Sequence, residues 1–428
     1  MSASETTESV LGELTLSSGG TRAIRLLMKR HVRNTVQLMQ ELGPTDEPDV
    51  DDGLASIQGR VSALADDAKM RTKLYRLFHR VTVSGLVYAA MDSFRNERAD
   101  EYVQRLRILI SVVAWEMAAD SLLEDSVPIG FKPWDVAVPW PAAAISIAAD
   151  PGIDRIELSN SRVATRSSPD GSFVVAALDR AELEAKAESL GFVITTMSTP
   201  IDDTVQLSFY DALPIHDEGA HPEMEGHSVT LGDRPASEWA EAMASALEQI
   251  GQWLPEIRAE MAILMQQWLP IGYLPEEHHS LSIQAAVGSS YLSLHPMQRM
   301  LCEAMIHEFQ HNKLHMLMNL DPILVGPRDA RYQSPVRPDP RPLMGVLLAV
   351  HAFVPVVEFF HRRRHHDDPE MSHPYIKDHV RALVENNRAG MDVLREHGRF
   401  TTTGKAFVAV LDRLERKQFA REIEMESS

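Results

Sequence analysis

Apolar residues recur three or four positions apart from about Thr21 to Leu123, most clearly in TRAIRLLMKRHVRNTVQLMQEL and YVQRLRILISVVAWEMAADSLL. That is the period of helices with one buried face. The acidic stretch PTDEPDVDDG (44–53) interrupts it as a turn or loop between helices. After Ser126 the pattern changes. Pro128, Pro133, Pro139 and Pro141 cluster near Trp134 and Trp140 and mark a domain edge. Short β-like runs follow, IDRIELS, SFVVAAL, FVITTMS and TVQLSFY, with Asp170-Gly171 as a hairpin signal between two of them and a short amphipathic helix over 181–190. From about Ala236 the helical period returns through WAEAMASALEQIGQWLPEIRAEMAILMQQWL. LSIQAAVGSSYLSL (281–294) alternates and predicts a strand or hairpin turning at Gly288. Pro296 opens a helix, MQRMLCEAMIHEFQHNKLHMLMNL. A Pro-rich loop (322–342) then leads to a second helix, LMGVLLAVHAFVPVVEFFHRR, and two more helices finish the chain. The expected fold class is mainly α with a smaller α+β region. Its expected parts are an N-terminal helical region (1–126), a small α+β region (127–232) and a helical C-terminal domain (233–428).

Composition narrows the classes. At 428 residues and 44% hydrophobic the chain is too long for one ordinary core and too apolar for disorder. Lys+Arg 42 against Asp+Glu 61 gives 42 − 61 = −19. So acidic a chain argues against nucleic acid or anionic lipid as a partner, because both reward clustered Lys and Arg. The single cysteine, Cys302, removes any disulfide framework or Cys-rich metal site and reads as a small buried residue. The first twenty residues lack the basic and apolar regions of a signal peptide, and no later run reaches 18 uninterrupted apolar residues. The expectation is a soluble cytoplasmic protein with no membrane contact.

The chemistry concentrates in His307-Glu308-Phe309-Gln310-His311, an H-E-x-x-H motif inside a strongly periodic helix. Residues four apart stack on one helical face, so both imidazoles reach one metal ion. Glu308 beside them serves as general base or orients the site. The bland alternative, a solvated His/Glu face, fits poorly because the motif is embedded in apolar sequence. His315 cannot join His307 on an ion that His311 also binds, since eight residues of helix rise roughly 12 Å. Leu314 and Leu317 exclude the metzincin extension. The next helix offers His351, with Glu358 as the alternative third ligand. These two are seven residues apart, a rise of roughly 10 Å, so only one can bind. In the loop before that helix, Arg337 and Arg341 carry guanidinium groups suited to gripping a carboxylate. His361, His365 and His366 read as a solvated helix end, and His278-His279 as residues that could face the site.

At these residues the sequence resembles the HExxH motif-containing family encoded beside ribosomally made peptide natural products, a domain also found fused to radical SAM maturases. The likeness runs from about Ser280 to Phe360 and rests on HEFQHNKLHML, RPDPRPL and the helix with AVHAF. Members of that family often carry an aromatic residue before the loop arginine, where this chain has Val336. The resemblance implies a zincin-like helical metal-binding core and a peptide β-hydroxylase that uses Fe(II), 2-oxoglutarate and O2. His307, His311 and a third ligand would hold iron, and an arginine the distal carboxylate of 2-oxoglutarate. The substrate would be a ribosomally synthesised precursor peptide, hydroxylated at the Cβ of a side chain such as Asp.

Two rivals stay open on the residues alone. One is a zinc metallopeptidase that cleaves a leader peptide, with Glu308 activating water. The other is a non-catalytic module that presents a peptide to a partner maturase. Two imidazoles with one further ligand suit Zn and iron alike. Open sheet edges in 127–232 are the expected place for capture of an extended peptide.

Overall fold

The computed structural model describes residues 11–17, 20–124, 127–129, 137–167, 171–213, 229–326, 330–334, 339–366 and 368–426. It is mainly helical with a few small sheets. The chain divides into two compact units. One comprises residues 32–200 and 206–230; the other comprises residues 1–31, 201–205 and 231–428. From residue 32 on, the helices before Ser126 therefore share a unit with the strands between residues 127 and 208.

Helices α1 (Arg22–Glu41), α2 (Pro48–Asp66), α3 (Arg71–His79), α4 (Val81–Arg95) and α5 (Ala99–Ala119) realise the long helical pattern. The acidic insert does not simply loop. Pro48 opens α2, and Asp49 and Asp51 fall in its first turn, where carboxylates complement the exposed amide groups. Strands β1 (Val127–Ile129), β4 (Arg155–Ser159), β5 (Arg162–Arg166) and β6 (Val174–Ala177) form an antiparallel sheet in the order β1-β4-β5-β6. β2 (Val138–Trp140), β3 (Ile145–Ala149) and β7 (Phe192–Thr196) form a second one. Asp170 of the expected hairpin turn lies outside the described residues, though β5 and β6 pair antiparallel on either side of it. The short helix α6 (Arg180–Leu190) is capped by Asp179, whose side chain accepts from Glu182 N, and ends on Gly191 at φ +66°. Strands β8 (Ser198–Pro200) and β9 (Gln206–Ser208) pair with each other.

The outer edge of β6 is closed by α6: Ala177 N donates to Glu182 Oε1 at 3.1 Å, and Lys186 Nζ donates to Val175 O at 3.2 Å. Side chains that fill the edge's hydrogen-bonding groups block strand addition there.

The second unit carries α7 (Ala236–Trp253), α8 (Pro255–Leu264), β10 (Gln267–Tyr273), β11 (Ser280–Leu281), β12 (Ser289–Leu294), α9 (Gln298–Met318), β13 (Arg331–Tyr332), β14 (Arg341–Pro342), α10 (Leu343–His365), α11 (Pro374–His397) and α12 (Thr402–Glu426). Pro255 splits the helix expected over 236–269, and Gln267–Leu269, which continue the helical period in sequence, lie in strand β10. Strand β10 runs parallel to β12, which pairs antiparallel with β11, so β11 is the outer strand. Gly288, at φ +103°, makes the turn before β12 as expected; a side chain would be strained there.

Helix α9 packs against this sheet and against α7 and α10. All-round burial explains its make-up: Leu301, Met305, Ile306, Phe309, Leu314 and Met316 are buried on several faces, and Cys302 is buried among them. Helix α10 is apolar and long enough to cross a membrane by length and composition, but 67% of its apolar window is buried inside the protein. It reads as a core helix.

Candidate metal centre

Between Leu301 and Leu317 a single stripe of α9 escapes full burial. Glu303, His307 and His311 lie along it four residues apart, flanked by buried neighbours. The His307 and His311 rings stand edge to face with centroids 4.3 Å apart. One ligand atom each from His307, Glu308 and His311 lies within 4.8 Å of the other two, the only such His/Cys/Asp/Glu group among the described residues. Two imidazoles and a carboxylate at that spacing fit a single divalent ion of the borderline class, zinc or iron. Phe353 of α10 closes one side, its ring 4.6 Å from that of His307.

Glu308 is 1% exposed and is held by the outer strand and the residue that follows it. Ser280 Oγ donates to its Oε1 at 2.7 Å and Ser282 Oγ to its Oε2 at 2.5 Å. Asn312, one turn further along α9, locks the same strand pair. Its Nδ2 donates to Ser290 Oγ at 2.8 Å and to Ser282 Oγ at 3.1 Å, while Gly288 N donates to its Oδ1 at 2.7 Å. Burial pushes the Glu308 carboxyl up to about 7, against the two serine hydroxyls, which favour the anion.

His351 of α10 is not part of the three-residue group. It is 0% exposed and neither ring nitrogen makes a hydrogen bond of regular geometry, although the carbonyls of Gln310 and Leu14 lie beside the ring and favour its cation. Burial, then the charge of Lys313, holds it well below the usual imidazole range, and His307 acts on it in the same direction. Glu358 points elsewhere: Arg362 Nε donates to its Oε1 at 2.9 Å, and Arg421 stands 3.8 Å away. Arg341 ends the loop on β14 and is paired with Asp339 at 2.8 Å. Arg337 lies outside the described residues. His315 is buried, and desolvation lowers it to about 4; its ring stacks 6.1 Å from that of His311.

The solvated reading of the HRRRHHDD end fails at its first residue. His361 is 0% exposed and pairs with Glu422 of α12 at 2.8 Å. His278 lies 6.4 Å from His295, ring to ring, and bonds Ser293 rather than joining the metal group.

Several residues at the site were not singled out by motif. Ser280 and Ser282 carry a signal only in hindsight: two hydroxyls at strand spacing place both on one face. Lys313 and Glu260 are lone charges on apolar helix faces, beside Phe309 and Leu317, and beside Ile257 and Leu264. They pair with each other at 2.7 Å, 0% and 1% exposed. No protein-family model matches the chain, and no curated protein is similar to it.

Proposed function

We propose that this chain is a metal-dependent peptide-modifying enzyme, an Fe(II)- and 2-oxoglutarate-dependent hydroxylase of a ribosomally made precursor peptide, working in the cytoplasm. The observation that carries the reading is the His307–Glu308–His311 group, open along one helical stripe and set beside the outer strand β11. The motif helix packs against the sheet that carries this strand. An extended peptide adds naturally to such a strand, with backbone hydrogen bonds giving affinity.

His307 and His311 would hold the ion, with Glu308 or His351 as the third group. His351, fully buried and near enough to His307 to feel its charge, is the candidate from the neighbouring helix. The chemistry supplied by iron with 2-oxoglutarate and O2 is insertion of oxygen into an unactivated C–H bond, coupled to oxidative decarboxylation of the keto acid. The protein's own share is positional. Ser280 and Ser282 fix Glu308 so that it orients the site, and Arg341 grips the distal carboxylate of 2-oxoglutarate in exchange for Asp339. A partner maturase would act on the same peptide.

The test is succinate formation. Iron-loaded protein should convert 2-oxoglutarate to succinate under O2, Arg341→Ala should lower the rate with iron content unchanged, and His311→Ala should abolish it. A zinc metallopeptidase is the second reading, favoured by the raised basicity of Glu308 beside the two imidazoles. Peptide cleavage by zinc-loaded protein, lost in Glu308→Gln, with no succinate under any condition, would select it. Unimpaired peptide modification with His307→Ala would leave only the non-catalytic peptide-binding role.

A further inference from the structure

Behind the metal helix, in the same unit, lies a second polar cluster, of which the proposed reaction would use His351 at most. Lys313 of α9, fully buried, donates to Glu260 Oε2 of α8 at 2.7 Å, and its Nζ lies 5.2 Å from the Phe309 ring centroid. Gln310, one turn before it on the same face, donates through Nε2 to the carbonyl of Thr15 at 3.2 Å. This contact ties the segment 11–17 to the motif itself, and Leu11, Leu14 and Thr15 of that segment are buried. The buried ring of His351 borders the same space, beside the carbonyls of Leu14 and Gln310 and within reach of the Lys313 charge.

The donors and acceptors there do not close on one another. Glu260 Oε1, Gln310 Oε1 and Thr15 Oγ1 are buried without a hydrogen-bond partner, and the nitrogens of His351 make no bond of regular geometry to the carbonyls beside them. An ammonium has three donors, and Lys313 spends one of them on Glu260. The surplus is thus mixed: acceptors on Glu260, Gln310 and Thr15, donors on Lys313, one of each on neutral His351. A cation would be repelled by Lys313 and an anion by Glu260. A small neutral molecule that both donates and accepts suits every group, and buried polar atoms out of direct reach of each other are commonly joined in this way.

We propose that Thr15, Glu260, Gln310, Lys313 and His351 enclose a buried chamber behind α9 whose ligand is ordered water, closed on one side by residues 11–17.

The test counts long-lived internal waters by oxygen-17 magnetic relaxation dispersion on the full-length chain. The wild type should show slowly exchanging waters, and the double variant Lys313→Met/Glu260→Leu, with its near-ultraviolet circular dichroism preserved, should lose at least one of them. An unchanged count in a folded variant would overturn the proposal. Should the variant not fold, electron density in a high-resolution crystal structure of the wild type decides. Solvent density within hydrogen-bond distance of Glu260 Oε1 and a His351 nitrogen supports the chamber. A dry space, or direct side-chain partners on both His351 nitrogens, refutes it.

Discussion

Glu308→Gln offers a quantitative handle on the site, because it removes one titration and leaves the shape of the side chain. In the metal-free protein burial raises the carboxyl from 4.5 to about 7, and the group is 1% exposed, so solvent does little to screen it. The folded-state pKa lies above the unfolded one. The folded protein therefore keeps this proton where the unfolded chain has released it, and Glu308's contribution to stability is fullest below about pH 4.5 and is lost as pH rises through about 7. The shift is 7 − 4.5 = 2.5 units. At roughly 1.4 kcal/mol per unit, about 3 kcal/mol disappears between the two ends of that window. Urea denaturation of chelator-treated wild type and Glu308→Gln, repeated from pH 4.5 to pH 8, isolates this effect, because every other titrating group is common to both proteins. The wild type should lose about 3 kcal/mol more than the variant across the range. Parallel stability curves would mean that Glu308 is solvated or otherwise compensated, and that the clamp from β11 does not exist as described.

Lys313→Met should destabilise the protein by roughly 3–5 kcal/mol, since it strands the buried Glu260 carboxylate, whereas Lys313→Met/Glu260→Leu should cost less than either single change. Additive losses in a denaturant double-mutant cycle would contradict a direct pair. Replacing both Ser280 and Ser282 by Ala removes the only two groups that lower the Glu308 carboxyl, so the pH-dependent difference from Glu308→Gln should move to higher pH. Gly404→Ala should lower the thermal midpoint, at a cost of roughly 1–3 kcal/mol, because a Cβ there would collide with the carbonyl oxygen of Ile323. An unchanged melting curve would show that the loop around Ile323 yields freely.

What could be read in advance divides along the range of the forces involved. The motif helix was legible because its uninterrupted apolar pattern and the four-residue spacing of His307 and His311 are local properties. The turn at Gly288 and the buried Cys302 were legible for the same reason. β10 was not: Trp268 and Leu269 continue the helical period of α8, and only parallel pairing with β12, a partner some twenty residues on, makes QWLPIGY a strand. The prolines at 255 and 270 were the available signals. His361 read as a solvated helix end because its partner, Glu422, comes from a helix about sixty residues later. The Glu308 clamp was hidden too, since two serines before a turn point nowhere until β11 is placed against α9. The proposed third metal ligand and the proposed carboxylate grip of Arg341 depend on how side chains from several elements converge, and pattern alone carries no such information.

The central claim is that His307 and His311 hold iron beside bound 2-oxoglutarate. Anaerobic addition of Fe(II) and 2-oxoglutarate to the metal-free protein, followed by visible absorption with Zn(II) as control, tests it most directly. The account predicts a weak charge-transfer band that needs both iron and keto acid, and that is absent in His311→Ala. No band, together with tight zinc binding by the same two histidines, would contradict it and leave the peptidase reading in its place.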